Sequence, residues 1–182
     1  MELCDGAIVR RCVDGDVLAW RNLHRRYHPV AAAFLRRMGV VDEDIEDACQ
    51  DVFLQVFRSL PKFRGEAELQ TWLYRLCVTQ ASRLRRRRQL RRTLLTWLTL
   101  QPIEPVSAVG LVDGSARERL ERALATLPDA ERTVFVLFEL EGVSGKRISE
   151  IVGSPEATVW RRLHYARRRF RSALGHASED SG

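Results

Sequence analysis

The sequence predicts an all-α protein built as two small helical domains joined by a linker, the C-terminal one a helix-turn-helix. Three observations carry this. Apolar residues recur at helical spacing through both halves, and no segment alternates at period two. Pro102, Pro105, Gly110 and Gly114 break the middle of the chain. Near the C-terminus a short apolar stripe, a glycine and a proline-led helix start follow one another, which is the grammar of a helix-turn-helix. The 182 residues then divide into a first domain over 1–92, a linker over 93–115, a second domain over 116–176 and a polar tail over 177–182.

Within the first domain, Asp14 or Asp16 can cap a helix that carries Trp20, Leu23, Tyr27, Val30 and Phe34 on one side. Pro29 is expected to kink or divide it. Asp42, Glu43 and Asp44 open a second helix, where three carboxylates complement the helix dipole. Ile45, Cys49, Val52, Val56 and Leu60 share its buried face, and Pro61 ends it. Its opposite face carries Glu43, Asp47, Gln50 and Asp51 around an apolar Leu54. The loop at Phe63–Leu69 leads into a third helix with Leu69, Leu73, Leu76, Gln80 and Leu84 roughly aligned. From Arg91 onward the pattern fails, which marks the linker. That linker is apolar around Leu94, Leu95, Trp97 and Leu98, and a flexible tether needs no such residues.

The second domain opens with Leu120, Ala123, Leu124 and Leu127 on one stripe. Pro128 and Asp129 start a helix through Val134, Leu137, Phe138 and Glu141, closed by Gly142. Ile148, Ile151 and Val152 mark a short helix ending at Gly153. Ser154, Pro155 and Glu156 then supply a cap, a proline at the first helical position and an acid in the first turn. The last helix buries Val159, Leu163, Ala166 and Phe170. Ala157, Arg161, His164 and Arg168 face the other way, flanked by Trp160 and Tyr165 with Thr158 near the start. Such a helix enters the major groove with its N-terminal residues at base edges.

Charge points to nucleic acid. The net charge is +6, but residues 75–92 alone carry +8 and residues 161–182 carry +4. Two basic blocks separated by acidic stretches suggest two contacts. Of the 30 basic residues only Lys62 and Lys146 are lysine, and arginine offers a planar fork to phosphates and guanine edges. Residues 63–92 combine aromatics with Arg83, Arg85, Arg86, Arg87, Arg88, Arg91 and Arg92. Aromatic faces stack on unpaired bases while arginines neutralise phosphates, so the segment suits opened, single-stranded nucleic acid.

Other classes are excluded by what is missing. No apolar run reaches membrane-spanning length, and MELCDGAIVRR lacks the pattern of a secretory signal. The cytoplasm is the expected compartment. Cys4, Cys12, Cys49 and Cys77 form no CxxC pair, and Cys49 and Cys77 sit on apolar stripes as buried thiols. No triad, P-loop, dinucleotide or metal-ligand constellation occurs. The chain is therefore not read as an enzyme, and no cofactor or metal is expected.

Two blocks also resemble a known family, the extracytoplasmic-function sigma factors of bacterial RNA polymerase. In the first half, IEDACQDVFLQVFRSLPKFRG is followed by TWLYRL at close to the family spacing. In the second, LATLPDAERTVFVLFELEGVS leads into ISEIVGSPEATVWRRLHYAR in family order. The similarity spans about residues 10–175. The resemblance implies that core polymerase and promoter DNA are the partners, with no covalent chemistry. Many members also have an anti-sigma partner, and nothing in this sequence identifies one.

Carried over by position, the resemblance implies that Asp47, Gln50, Asp51, Phe53 and Leu54 dock on the polymerase clamp. Phe63, Arg64, Gly65, Glu66, Ala67 and Leu69 would hold a base flipped from the −10 element. Trp72, Arg75, Thr79 and Arg83, with Thr71, would line the opened strand. Thr158, Trp160, Arg161, His164, Tyr165 and Arg168 would read the −35 element as duplex. Some positions depart from the family pattern. Thr79 stands where asparagine is usual, and Leu69 where an aromatic is commoner. Ala157 replaces a glycine, Trp160 and Arg161 a basic-then-serine pair, and Arg147 a glutamate that would complete a capping box with Ser144. A second reading stays open: a stand-alone helix-turn-helix regulator that binds duplex as a dimer without polymerase.

Overall fold

A computed structural model describes residues 5–65, 68–99 and 116–179. Among the described residues eight α-helices run in chain order: α1 (Asp5–Val13), α2 (Val17–Arg37), α3 (Asp42–Ser59), α4 (Leu69–Thr99), α5 (Ala116–Ala125), α6 (Asp129–Phe135), α7 (Gly145–Val152) and α8 (Glu156–Glu179). No strand occurs among the described residues.

In the first domain α2, α3 and α4 pack against one another, with α1 against α2. Asp16 is the N-cap of α2, its carboxylate accepting from the backbone N–H of Leu18 at 2.8 Å and of Ala19 at 3.1 Å. Pro29 does not divide α2, which is continuous from Val17 to Arg37. Tyr27, Ala31, Ala32, Phe34 and Leu35 are buried on both sides of the proline, and this packing holds the helix together across the one lost hydrogen bond. Helix α1 lies N-terminal to the helix start read at Asp14 or Asp16. It buries Ile8, Val9 and Cys12.

Helix α4 continues to Thr99, seven residues past the Arg92 boundary placed on the first domain. The apolar pattern fades there, but no glycine or proline follows Gly65 until Pro102, so nothing stops the helix. Leu94 is exposed, and the side chains of Leu95, Trp97 and Leu98 lie outside the described residues.

In the second domain α5, α6 and α7 each pack against α8. α6 passes into one wider, π-type turn over Val136–Leu140, closed by the Glu141 N–H bonding to the Val136 carbonyl at 3.1 Å. α7 is capped by Ser144, whose hydroxyl accepts from the Arg147 backbone N–H at 3.4 Å. The N-cap thus forms although Arg147 removes the reciprocal acid. Gly153 ends α7 in the left-handed region (φ 62°), which turns the chain into α8. The Ser154 hydroxyl faces Arg162 Nη1 at 3.3 Å, and α8 starts instead on the Pro155 carbonyl, which accepts from the N–H groups of Thr158 and Val159.

The two domains touch. Their buried apolar residues form one continuous cluster, and α4 packs against α7.

Candidate nucleic-acid interface

Three surfaces gather the residues singled out from the sequence. The first is an apolar groove between α2 and α3. Asp47, Gln50, Phe53 and Leu54 line it together with Val17, Trp20, His24, His28, Glu46 and Phe57. Leu54 is 47% exposed and Phe57 61%. The acidic rim and apolar floor make an anchor-in-rim surface. The Trp20 ring lies 5.0 Å from that of Phe57, and its indole N–H donates to the Cys12 carbonyl at 2.9 Å. His24 packs 4.5 Å from Phe53, and burial together with His28 holds its pKa below the ordinary value. Asp51 is turned elsewhere. Its carboxylate accepts from the buried Gln80 amide at 2.7 Å and ties α3 to α4. Phe57 escaped the sequence reading, although it stands one turn from Leu54, where i and i+3 residues share a face.

The second surface runs along α4. The Phe63 and Trp72 rings meet at 5.3 Å, both half-buried. Arg64 and Gly65 are exposed beside them, Gly65 with φ 71°. Glu66 and Ala67 lie outside the described residues. Leu69, read from the sequence as part of the base-holding loop, is instead buried in the core, so its side chain does not face an incoming base. Arg75, Thr79 and Arg83 are exposed, one helical turn apart each. The Thr79 hydroxyl donates to the Arg75 carbonyl at 2.9 Å, so it is engaged with its own helix. Thr79, Ser82, Arg83, Arg85, Arg86 and Gln89 form one wall of a cleft of about 610 Å³. The opposite wall comes from the second domain: Asp129, Ala130, Thr133, Ile151, Val152 and Arg162.

The third surface is α8. Val159, Leu163 and Ala166 are buried, which leaves Arg161, His164, Tyr165 and Arg168 exposed. His164 and Tyr165 meet edge-on at 5.6 Å, and the Arg168 guanidinium lies 5.9 Å over the Tyr165 ring. Thr158 is half-buried. Trp160 is held on the flank. Its ring meets Phe138 edge-on at 5.3 Å, and its N–H donates to Glu156 at 3.2 Å. A side chain at Gly145 would collide with that ring at 2.5 Å, so Trp160 and Gly145 fit as a pair.

Cys12, Cys49 and Cys77 are buried free thiols, and burial raises the pKa of each. Cys4 lies outside the described residues. Among the described residues no cluster of His, Cys, Asp and Glu could hold a metal ion, and no helix is long and apolar enough to cross a membrane.

Apart from Val17 and Trp20 of the groove, the residues of these surfaces fall within two family matches. Residues 23–91 match the model of Sigma-70 region 2, and residues 117–170 match Sigma-70, region 4. The chain is 33% identical over 177 residues to the ECF RNA polymerase sigma-E factor of Haemophilus influenzae, covering 91% of this chain and 93% of that one. It is 30% identical over 176 residues to the factor of the same name from Escherichia coli K12, covering 91% and 92%. The fold is shared with CnrH, solved with the cytosolic domain of CnrY, at a TM-score of 0.69, 22% identity and 94% and 97% coverage. It is also shared with the sigma factor RpoE, solved with the anti-sigma factor NepR from Bartonella quintana, at a TM-score of 0.69, 21% identity and 87% and 98% coverage.

Proposed function

The chain belongs to the extracytoplasmic-function sigma factors, and from that premise we propose how its three surfaces divide the work of starting transcription. It binds core RNA polymerase and directs promoter-specific initiation. The α2–α3 groove, with Leu54 and Phe53 as apolar anchors inside the Asp47 and Gln50 rim, docks on the polymerase. The exposed face of α8 reads the −35 element in the major groove through Arg161, His164 and Arg168, with Thr158 and Tyr165 beside them. The loop at Phe63–Leu69 takes a base turned out of the −10 element. Trp72, Arg75, Thr79 and Arg83 line the strand that leads to it.

No covalent step is involved. Unstacking a base costs a few kcal/mol, and aromatic stacking plus phosphate neutralisation offset that cost. The protein works in the cytoplasm, where polymerase and chromosome meet. It takes an anti-sigma partner, as RpoE takes NepR.

The single observation that carries this reading is the presence of two separate basic, aromatic surfaces in one chain, beside an apolar groove with an acidic rim. A stand-alone duplex-binding regulator needs only the α8 face. Run-off transcription with purified core enzyme tests the choice. The expected result is discrete transcripts that require both core and this chain. Sequence-specific duplex binding by the chain alone, with no core binding and no transcripts, would favour the stand-alone regulator.

A further inference from the structure

We propose that Glu156, held in place by Trp160, selects a cytosine in the −35 element. The inference rests on α8 being the −35 helix, and adds to that reading a residue and the base it takes. A recognition helix meets base edges with its N-terminal residues. Glu156 and Ala157 are exposed in the first turn of α8. Ala157 has no hydrogen-bonding side chain, and Thr158 is half-buried. Glu156 is therefore the exposed polar side chain at that end.

An acid at a helix start ordinarily serves the dipole or a capping box. The Glu156 carboxylate is held in another way. Its Oε1 accepts from the Trp160 indole N–H at 3.2 Å, one turn along the helix. The indole is itself fixed. It meets the Phe138 ring edge-on at 5.3 Å. The Arg167 guanidinium covers Phe138 at 5.5 Å and pairs with Glu139 at 2.6 Å. On the side of α7, a Cβ at Gly145 would stand 2.5 Å from the Trp160 ring and 3.1 Å from Glu156 Oε1. Gly145 opens α7, and its missing side chain lets both ring and carboxylate sit against that helix start. Oε1 is thus engaged, while Oε2 has no partner among the described residues. The resemblance put Trp160 among the −35 readers. With its ring on Phe138 and its N–H on Glu156, it acts through Glu156 as a positioning residue.

The chemistry of the groove then narrows the base. A carboxylate accepts hydrogen bonds and cannot donate. Guanine offers N7 and O6 and thymine offers O4, all acceptors that repel it. Adenine sets an acceptor N7 beside its N6 amine, which suits an amide better than a carboxylate. Cytosine presents the N4 amine, the group that glutamate and aspartate contact. A phosphate would meet the carboxylate as like charge against like charge. Arg161, also exposed, brings the fork that matches guanine. Glu156 and Arg161 therefore select opposite edges, one a donor and one an acceptor pair.

The test is transcription by the full chain with core enzyme from promoters randomised across the −35 element, with the transcripts sequenced. The unsubstituted chain should favour cytosine at one position by about tenfold. Glu156→Gln, at an exposed position, should move that position toward adenine, because an amide accepts from N6 and donates to N7. The other positions should keep their preferences. Trp160→Phe keeps a ring but removes the N–H, and should weaken the cytosine preference about threefold. A Trp160 that only packs would lower the melting temperature and leave the base preference where it was. An unchanged profile in Glu156→Gln overturns Glu156 as the reader. An unchanged cytosine preference in Trp160→Phe overturns the role given to Trp160. Absence of transcripts, or of any −35 preference, in the unsubstituted chain fails the reading of α8 itself and takes Glu156 with it.

Discussion

Helices α4 and α8 carry the same chemistry in different settings. Each presents arginines beside aromatic rings on one face. The α8 face stands open, with Arg161, His164, Tyr165 and Arg168 exposed. On α4, Arg75, Thr79 and Arg83 are exposed too, but Thr79, Ser82 and Arg83 border a cleft whose other wall is the second domain. The two faces thus differ in setting more than in residue type: part of one borders another domain. Stacking on unpaired bases is tolerant of sequence, whereas contacts to base edges in the major groove are not.

Breaking the link to polymerase should have the largest effect. Leu54→Asp places a charge in the apolar groove and should weaken core binding by about 2–4 kcal/mol, the range of an interface hot spot. Duplex binding through α8 should not change. Core affinity measured by fluorescence anisotropy checks this, and an unchanged value removes Leu54 as an anchor.

The next substitutions set the two faces against each other. Trp72→Ala should cost about 1–3 kcal/mol in initiation while free-chain duplex binding holds. Arg161→Ala should cost about 1–3 kcal/mol in duplex binding while strand capture on polymerase holds. Run-off yield and duplex titration at one fixed salt concentration separate them. If both variants lose both activities alike, the division of labour is wrong.

The smallest effect concerns pH. The folded state holds the His24 pKa below its ordinary value, so the unfolded chain binds the proton more readily. Stability from this site is complete above about pH 6.5 and erodes as pH falls through that value. Melting should drop by about 1–2 °C between pH 7.5 and 5.5 beyond the change seen in His24→Gln. Equal pH profiles would remove His24 as the cause. Because His24 packs on Phe53, core binding should weaken in the same direction.

Much of this was legible in the sequence, for physical reasons. Asp16 caps α2 through its own side chain, and caps are local. The stripe Ile45, Cys49, Val52, Val56 is buried because one periodic face meets one core. Val159, Leu163 and Ala166 follow the same rule on α8. Local pattern does not carry what depends on distant partners. Glu141 reads as a helix-end acid until Arg37 and Tyr74 are placed beside it. Asp51 reads as a surface acid until Gln80 arrives from α4. Trp160 reads as a free flank residue until Gly145 leaves room for its ring. Pro29 reads as a break because propensity speaks for the isolated helix, and the core around Ala31 and Phe34 outweighs it.

The most direct measurement compares strand binding by the free chain and by the chain on polymerase. A fluorescent single-stranded −10 oligonucleotide is titrated with the protein alone and with its complex with core enzyme. Strand capture by α4 as part of the polymerase complex predicts at least tenfold tighter binding by the complex, with the gain lost in Trp72→Ala. Equal affinity with and without core would contradict it.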